Sequence, residues 1–128
     1  MPHLILEYSA NLERSLDMAG LLRRVHQSAV DLMVFPLAAI RVRAEKREQF
    51  VIAHGEAENS FIHLLVRIKA GRSDDEKNHI GSAFFQALAE PLTEFQASKP
   101  LALTVEVEEI TAALNFAKNS IPNFMRTD

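Results

Sequence analysis

Cysteine is absent from the 128 residues, which excludes disulfides, thiolate metal sites and cysteine nucleophiles together and fits a reducing compartment. Basic blocks are missing as well. With 14 Lys and Arg against 17 Asp and Glu, the net charge of -3 is the wrong balance for a general binder of nucleic acid. No apolar run approaches the roughly 20 residues of a membrane span, and the start, "MPHLILEYSANLER", lacks the basic and long apolar regions of a signal peptide. These absences predict a cytoplasmic protein with no membrane and no nucleic-acid partner. Serine-nucleophile motifs, phosphate-binding loops and dinucleotide fingerprints are not found. His3, His26, His54, His63 and His79 show no metal-ligand spacing and read as structural or surface residues.

No Gly, Ser or Pro-rich linker divides the chain, and a hydrophobic fraction of 48% is enough for a core. Residues 1–128 are therefore expected to form one domain. Laid at period two, "HLILEY" separates Leu4, Leu6 and Tyr8 from His3, Ile5 and Glu7, as a half-buried strand does. From Ser15 to Met33, Met18, Leu21, Leu22, Val25, Ala29, Leu32 and Met33 make one helical stripe. "VFP" ends that helix, and "LAAIRVRAE" predicts a strand with Ala38, Ile40, Val42 and Ala44 on one face and Arg41 and Arg43 on the other.

"EKRE" reads as a charged turn and "QFVIA" as a short extra strand. "SFIHLLVRIK" is a third long strand, with Ile62, Leu64, Val66 and Ile68 opposed to His63, Leu65, Arg67 and Lys69. Ser73 followed by Glu76 is a capping box, with Asp74 and Asp75 in the first turn of the helix it opens. The helix carries Ile80, Phe84 and Leu88, and Pro91 is expected to kink or divide it. "KPLALTVEVEEI" is the fourth long strand, with Thr104, Glu106 and Glu108 on its non-core face.

The two halves repeat: "HLILEYSAN" lies over "HLLVRIKAG", "AGLL" over "SAFF" and "AAIRV" over "ALTVE". Each unit is β-α-β, over about residues 2–46 and 60–110. Two such units give an α+β, two-layer fold with a four-stranded sheet and both helices over one face. The other face mixes His3, Ile5, Leu37, Ala39, Arg41, Leu65 and Arg67, a pattern that predicts a partner subunit and a homo-oligomer. The extra strand near Phe50 and the tail "ALNFAKNSIPNFM" lie outside the repeat, free to pair with a neighbour.

Pro2 is the first candidate for chemistry. By itself a proline at position two shows only that methionine aminopeptidase can trim the start. Once exposed, it is a secondary amine at the end of a rigid strand, and burial or nearby cations disfavour its ammonium form. An uncharged amine at neutral pH is a general base. Arg41 and Arg43, on the strand parallel to the one that begins at Pro2, and Arg72, before the second helix, supply guanidinium forks that suit carboxylates. Each is otherwise a solvated arginine or a subunit ion pair. Tyr8 and Phe61 are read as core, and Glu7, Glu106 and Glu108 as surface or interface charges.

With these residues in view, the chain resembles the tautomerase superfamily, whose members use an amino-terminal proline as base. Within it the resemblance is nearest to the 5-carboxymethyl-2-hydroxymuconate isomerase family of homoprotocatechuate (4-hydroxyphenylacetate) breakdown. "MPHLILEYS", "FPLAAIRVR", "FIHLLVRIKAGRS", "LALTVEVEEI" and "LNF" carry it, from residue 2 to residue 116. The resemblance implies a MIF-like fold with a mixed sheet and a homotrimer with active sites at subunit boundaries. It also implies Pro2 as catalytic base, Arg41 and Arg72 as catalytic and substrate-binding, and Arg43 as a further substrate-binding residue. The implied reaction is ketonisation of a carboxylated dienol, with no cofactor and no metal. Readings outside that implication are another enol acid as substrate, a non-catalytic ligand-binding module, and a structural interaction protein.

Overall fold

The computed structural model describes residues 2–126. β1 (His3–Ser9) begins directly after Pro2, where a residue without an amide donor can open a strand. α1 (Met18–Leu32) starts later than Ser15 because the Asp17 side chain accepts the Gly20 N–H at 2.9 Å and caps the first turn. Met33 then closes it in the left-handed conformation, with φ at 57°. β2 (Arg41–Arg47), β3 (Ser60–Lys69), α2 (Asp74–Ser98) and β4 (Leu101–Ile110) complete the repeat. In the sheet order β2-β1-β3-β4, each β-α-β unit contributes a parallel pair and the two units meet antiparallel at β1 and β3. The sheet is mixed, as expected.

Both helices cover one face. Leu4, Leu6, Ile62, Leu64 and Val66 are wholly buried beneath Val25 and Ala29 of α1 and Phe84 and Leu88 of α2. Alternation is strictest in β3, where every second residue is buried and its neighbours are half-exposed.

Four expectations are corrected. "LAAIRVRAE" is not a strand from its start: Pro36, at φ −60°, opens a 3₁₀ turn over Leu37–Ala39, so Leu37 and Ala39 leave the sheet face. The charged "EKRE" does not turn, since Glu45, Lys46 and Arg47 pair with Glu7, Tyr8 and Ser9. "QFVIA" forms no strand. Residues 50–59 are held as a loop by side-chain amides, Asn59 Nδ2 donating to Ile52 O at 3.1 Å and Asn11 Nδ2 to Asn59 O at 2.8 Å.

Pro91 does not divide α2. A proline there removes the N–H that would bond the Ala87 carbonyl four residues back, and Arg24 of α1 supplies the replacement, its Nε donating to Ala87 O at 2.5 Å. The break in one helix's ladder becomes a tie between the two helices.

Candidate active site

Because β1 and β2 are parallel and β3 runs the other way, the start of β1, the start of β2 and the end of β3 share one end of the sheet. Pro2, Arg41 and the Gly71–Arg72 turn are thereby gathered from distant parts of the chain. Pro2 is buried. Its carbonyl accepts the Arg41 N–H at 3.2 Å, which fixes the head of the chain against the first residue of β2. The Arg41 guanidinium also donates to Ala39 O at 3.4 Å, across the 3₁₀ turn.

Arg72 follows Gly71, whose φ of +117° suits glycine, and precedes the Ser73 cap of α2. Its guanidinium donates to Lys69 O at 3.3 Å and to Val34 O at 3.2 Å, and lies 5.2 Å from the centroid of the Phe35 ring. Arg72 thus joins the α1–β2 loop of one half to the β3–α2 turn of the other. A cavity of about 270 Å³ opens beside it, lined also by Val34, Glu76, His79 and Ile80. A second, of about 460 Å³, lies along the β2 edge beside Arg41, His26 and Leu22. Pro2 lines neither of them.

The capping box is formed in both directions. Ser73 Oγ accepts the Glu76 N–H at 3.1 Å, and the Glu76 carboxylate accepts the Ser73 N–H at 3.2 Å. These backbone and side-chain bonds to Ser73 hold the Glu76 carboxyl below its ordinary pKa.

Arg43 pairs in register with Ile5, on the sheet face that the helices leave open. Its Nη1 reaches back to His3 Nδ1 at 3.1 Å. Desolvation and the nearby guanidinium groups of Arg43, Arg41 and Arg67 lower the His3 pKa. Burial, reinforced by Glu13, raises that of Tyr8, which belongs to the core as expected. Three further pairs cross between strands on the open face: His63 with Glu106 at 3.1 Å, Arg67 with Glu108 at 2.9 Å and Arg47 with Glu7 at 2.6 Å.

The sequence singled out Pro2, Arg41, Arg43 and Arg72, and the structure brings all four to the same end of the sheet. Two contributions were not legible. His3 looked merely structural, because its contact with Arg43 depends on a parallel register that no local pattern states. Asn119, whose Nδ2 donates to Ala38 O at 3.0 Å, returns the C-terminal tail to the turn before β2 from 81 residues away.

A family model for 5-carboxymethyl-2-hydroxymuconate isomerase matches residues 2–125. The chain is 32% identical over 121 residues to the 5-carboxymethyl-2-hydroxymuconate Delta-isomerase of Escherichia coli, covering 94% of this chain and 96% of that one. A crystal structure of a 5-carboxymethyl-2-hydroxymuconate isomerase from Deinococcus radiodurans R1 superposes with a TM-score of 0.88 at 31% identity, over 98% of this chain and 95% of that one. A fused 4-OT, solved as a symmetric trimer, shares the fold at 16% identity with a TM-score of 0.66, over 91% and 93% of the two chains. The chain belongs to the 5-carboxymethyl-2-hydroxymuconate isomerase family.

Proposed function

We propose that this isomerase ketonises 5-carboxymethyl-2-hydroxymuconate in homoprotocatechuate breakdown, working as a cytoplasmic homotrimer of one-domain protomers with Pro2 as general base. The observation that carries the reading is the Arg41 N–H donating to the Pro2 carbonyl, which anchors the head of the chain beside an arginine. After removal of Met1, the Pro2 nitrogen takes the hydroxyl proton at C2 of the dienol. The electron pair moves through the diene, and the far end of the diene receives a proton from the resulting ammonium. A ketone conjugated to the remaining double bond is left, with atoms and electrons balanced and no redox partner involved.

Arg41 stabilises the charge that develops on the C2 oxygen, while Arg72 and Arg43 bind carboxylates of the substrate. A preorganised cation at a developing oxyanion contributes about 10²- to 10³-fold in rate. Positioned proton transfer contributes roughly another 10²- to 10⁴-fold. Trimer formation is supported by apolar side chains on the open face, Ile5 and Leu65, and by the exposed Leu114, Phe116 and Phe124 of the tail. A neighbouring protomer then supplies the missing walls around Pro2.

The test is ultraviolet measurement of 5-carboxymethyl-2-hydroxymuconate loss, beside intact-mass analysis of the same preparation. Rapid ketonisation by protein lacking Met1, and little by protein retaining it, is the expected result. No acceleration over buffer by fully trimmed protein sinks the reading and favours another enol acid or a non-catalytic binding module.

A further inference from the structure

Three arginines of the open sheet face contrast in how they are held. Arg67 is neutralised by Glu108, and Arg47 by Glu7 and Glu45. Arg43 has no carboxylate within 4 Å among the described residues and is bonded instead to an imidazole. Register makes that bond directional. Arg43 lies opposite Ile5, whereas His3 lies opposite Arg41, so the guanidinium bends back by two residues along the strand, toward the end where Pro2 sits. A guanidinium is always a donor, so the bond requires a lone pair on His3 Nδ1 and hence the neutral imidazole with its proton on Nε2.

We propose that His3 is a positioning residue, an unprotonated imidazole that holds Arg43 as a preformed receptor for a substrate carboxylate beside Pro2. The inference rests on the isomerase reading for the identity of the substrate, and on the structure alone for the His3–Arg43 pair. One guanidinium N–H is spent on the imidazole and the other donors stay available to a carboxylate. Holding a long, rotamer-rich side chain in advance removes part of the entropy cost of binding. The choice of imidazole over carboxylate follows from the same need. An acidic partner would neutralise Arg43 and compete with the substrate, while a neutral acceptor orients it and leaves its charge.

The groups that face His3 are Arg41 and Arg43 of β2 and Arg67 of β3, with Glu108 of β4 beyond Arg67, and the terminal amine of the chain also acts on it. Protonation of His3 places a fourth cation among three guanidinium groups and removes the acceptor that Arg43 uses. Carboxylate binding therefore weakens as pH falls through the His3 transition, which lies below the ordinary histidine value of 6.5.

The experiment compares wild type, His3→Leu, His3→Asn, Arg43→Met and the His3→Leu/Arg43→Met double variant. Turnover of 5-carboxymethyl-2-hydroxymuconate is measured beside equilibrium binding of tricarballylate, a tricarboxylate probe that reports without chemistry. In His3→Leu, KM and the tricarballylate Kd are expected to rise about tenfold with kcat nearly unchanged, as loss of uniform binding requires. His3→Asn, whose amide oxygen can accept from Arg43, recovers most of the loss and abolishes the acid limb of the binding profile. The double variant should be no weaker than Arg43→Met alone. ¹⁵N NMR of the imidazole should report an unprotonated Nδ1 at neutral pH.

A protonated Nδ1, additive losses in the double variant, or a fall in kcat with KM unchanged would each overturn the proposal. So would an Arg43→Met change that alters the oligomer without altering binding. Tricarballylate coupling in a protein that fails to turn over the dienol supports the receptor and retires the isomerase reading alone.

Discussion

The two β-α-β halves share a topology and divide the work. In the second half, α2 runs 25 residues from a reciprocal capping box and buries Ile80, Phe84, Leu88 and Leu92. In the first half, α1 runs 15 residues and ends in a left-handed methionine, and its chain needs a 3₁₀ turn before it can enter β2. The outward residues of their edge strands carry opposite charge: Arg41 and Arg43 on β2, Glu106 and Glu108 on β4. Repetition accounts for the fold, and divergence between the copies accounts for where the candidate site residues fall. The less regular copy carries Pro2, Arg41 and Arg43, while the regular copy supplies the frame and the Gly71–Arg72 turn with its own cation.

Exchanging the outward charges tests that division most severely. Arg41→Met should lower kcat/KM for the dienol by about 10²- to 10³-fold, whereas Glu106→Gln on the corresponding edge of the second half should change it by no more than a few-fold. Equal losses in the steady-state assay would erase the contrast. In stability the order reverses. Phe84→Ala in α2 should cost about 3–5 kcal/mol, and Val25→Ala in α1 about 2 kcal/mol, both read from denaturant midpoints at constant m-value. Comparable costs would show that the halves carry the core equally.

Removing one cap sharpens the comparison further. Ser73→Ala should destabilise the protein by about 1 kcal/mol and return the Glu76 carboxyl toward its ordinary pKa, measurable by NMR titration. The smallest effect concerns His3. Its folded pKa lies below its unfolded one, so the associated stability is present above 6.5 and lost as pH falls through the depressed folded value. Thermal melts across that range should show a decline that is reduced in His3→Asn. An identical decline in both proteins would assign it to other groups.

Local pattern revealed the repeat, the strand faces and the capping box, because each is written in residues a few positions apart. Pro2, Arg41, Arg43 and Arg72 were legible as candidates for the same reason, as residue types placed at element ends. What the pattern did not contain was anything set by register or by a distant carbonyl. The reach of Arg43 to His3, the anchoring of Arg72 on Val34 and the tie of Asn119 to Ala38 all cross between elements. Pro91 shows the same limit. Its missing donor predicts a kink or a division, the helix is not divided, and the compensating Arg24 comes from the other helix.

The claim that the first half's amino end performs the chemistry is tested most directly by the rate of 5-carboxymethyl-2-hydroxymuconate ketonisation in Pro2→Ala. The comparison is with trimmed wild type, under conditions where both proteins give the same melting temperature. A fall of roughly 10²- to 10⁴-fold is expected, with binding of tricarballylate retained. A Pro2→Ala protein as fast as wild type would contradict it.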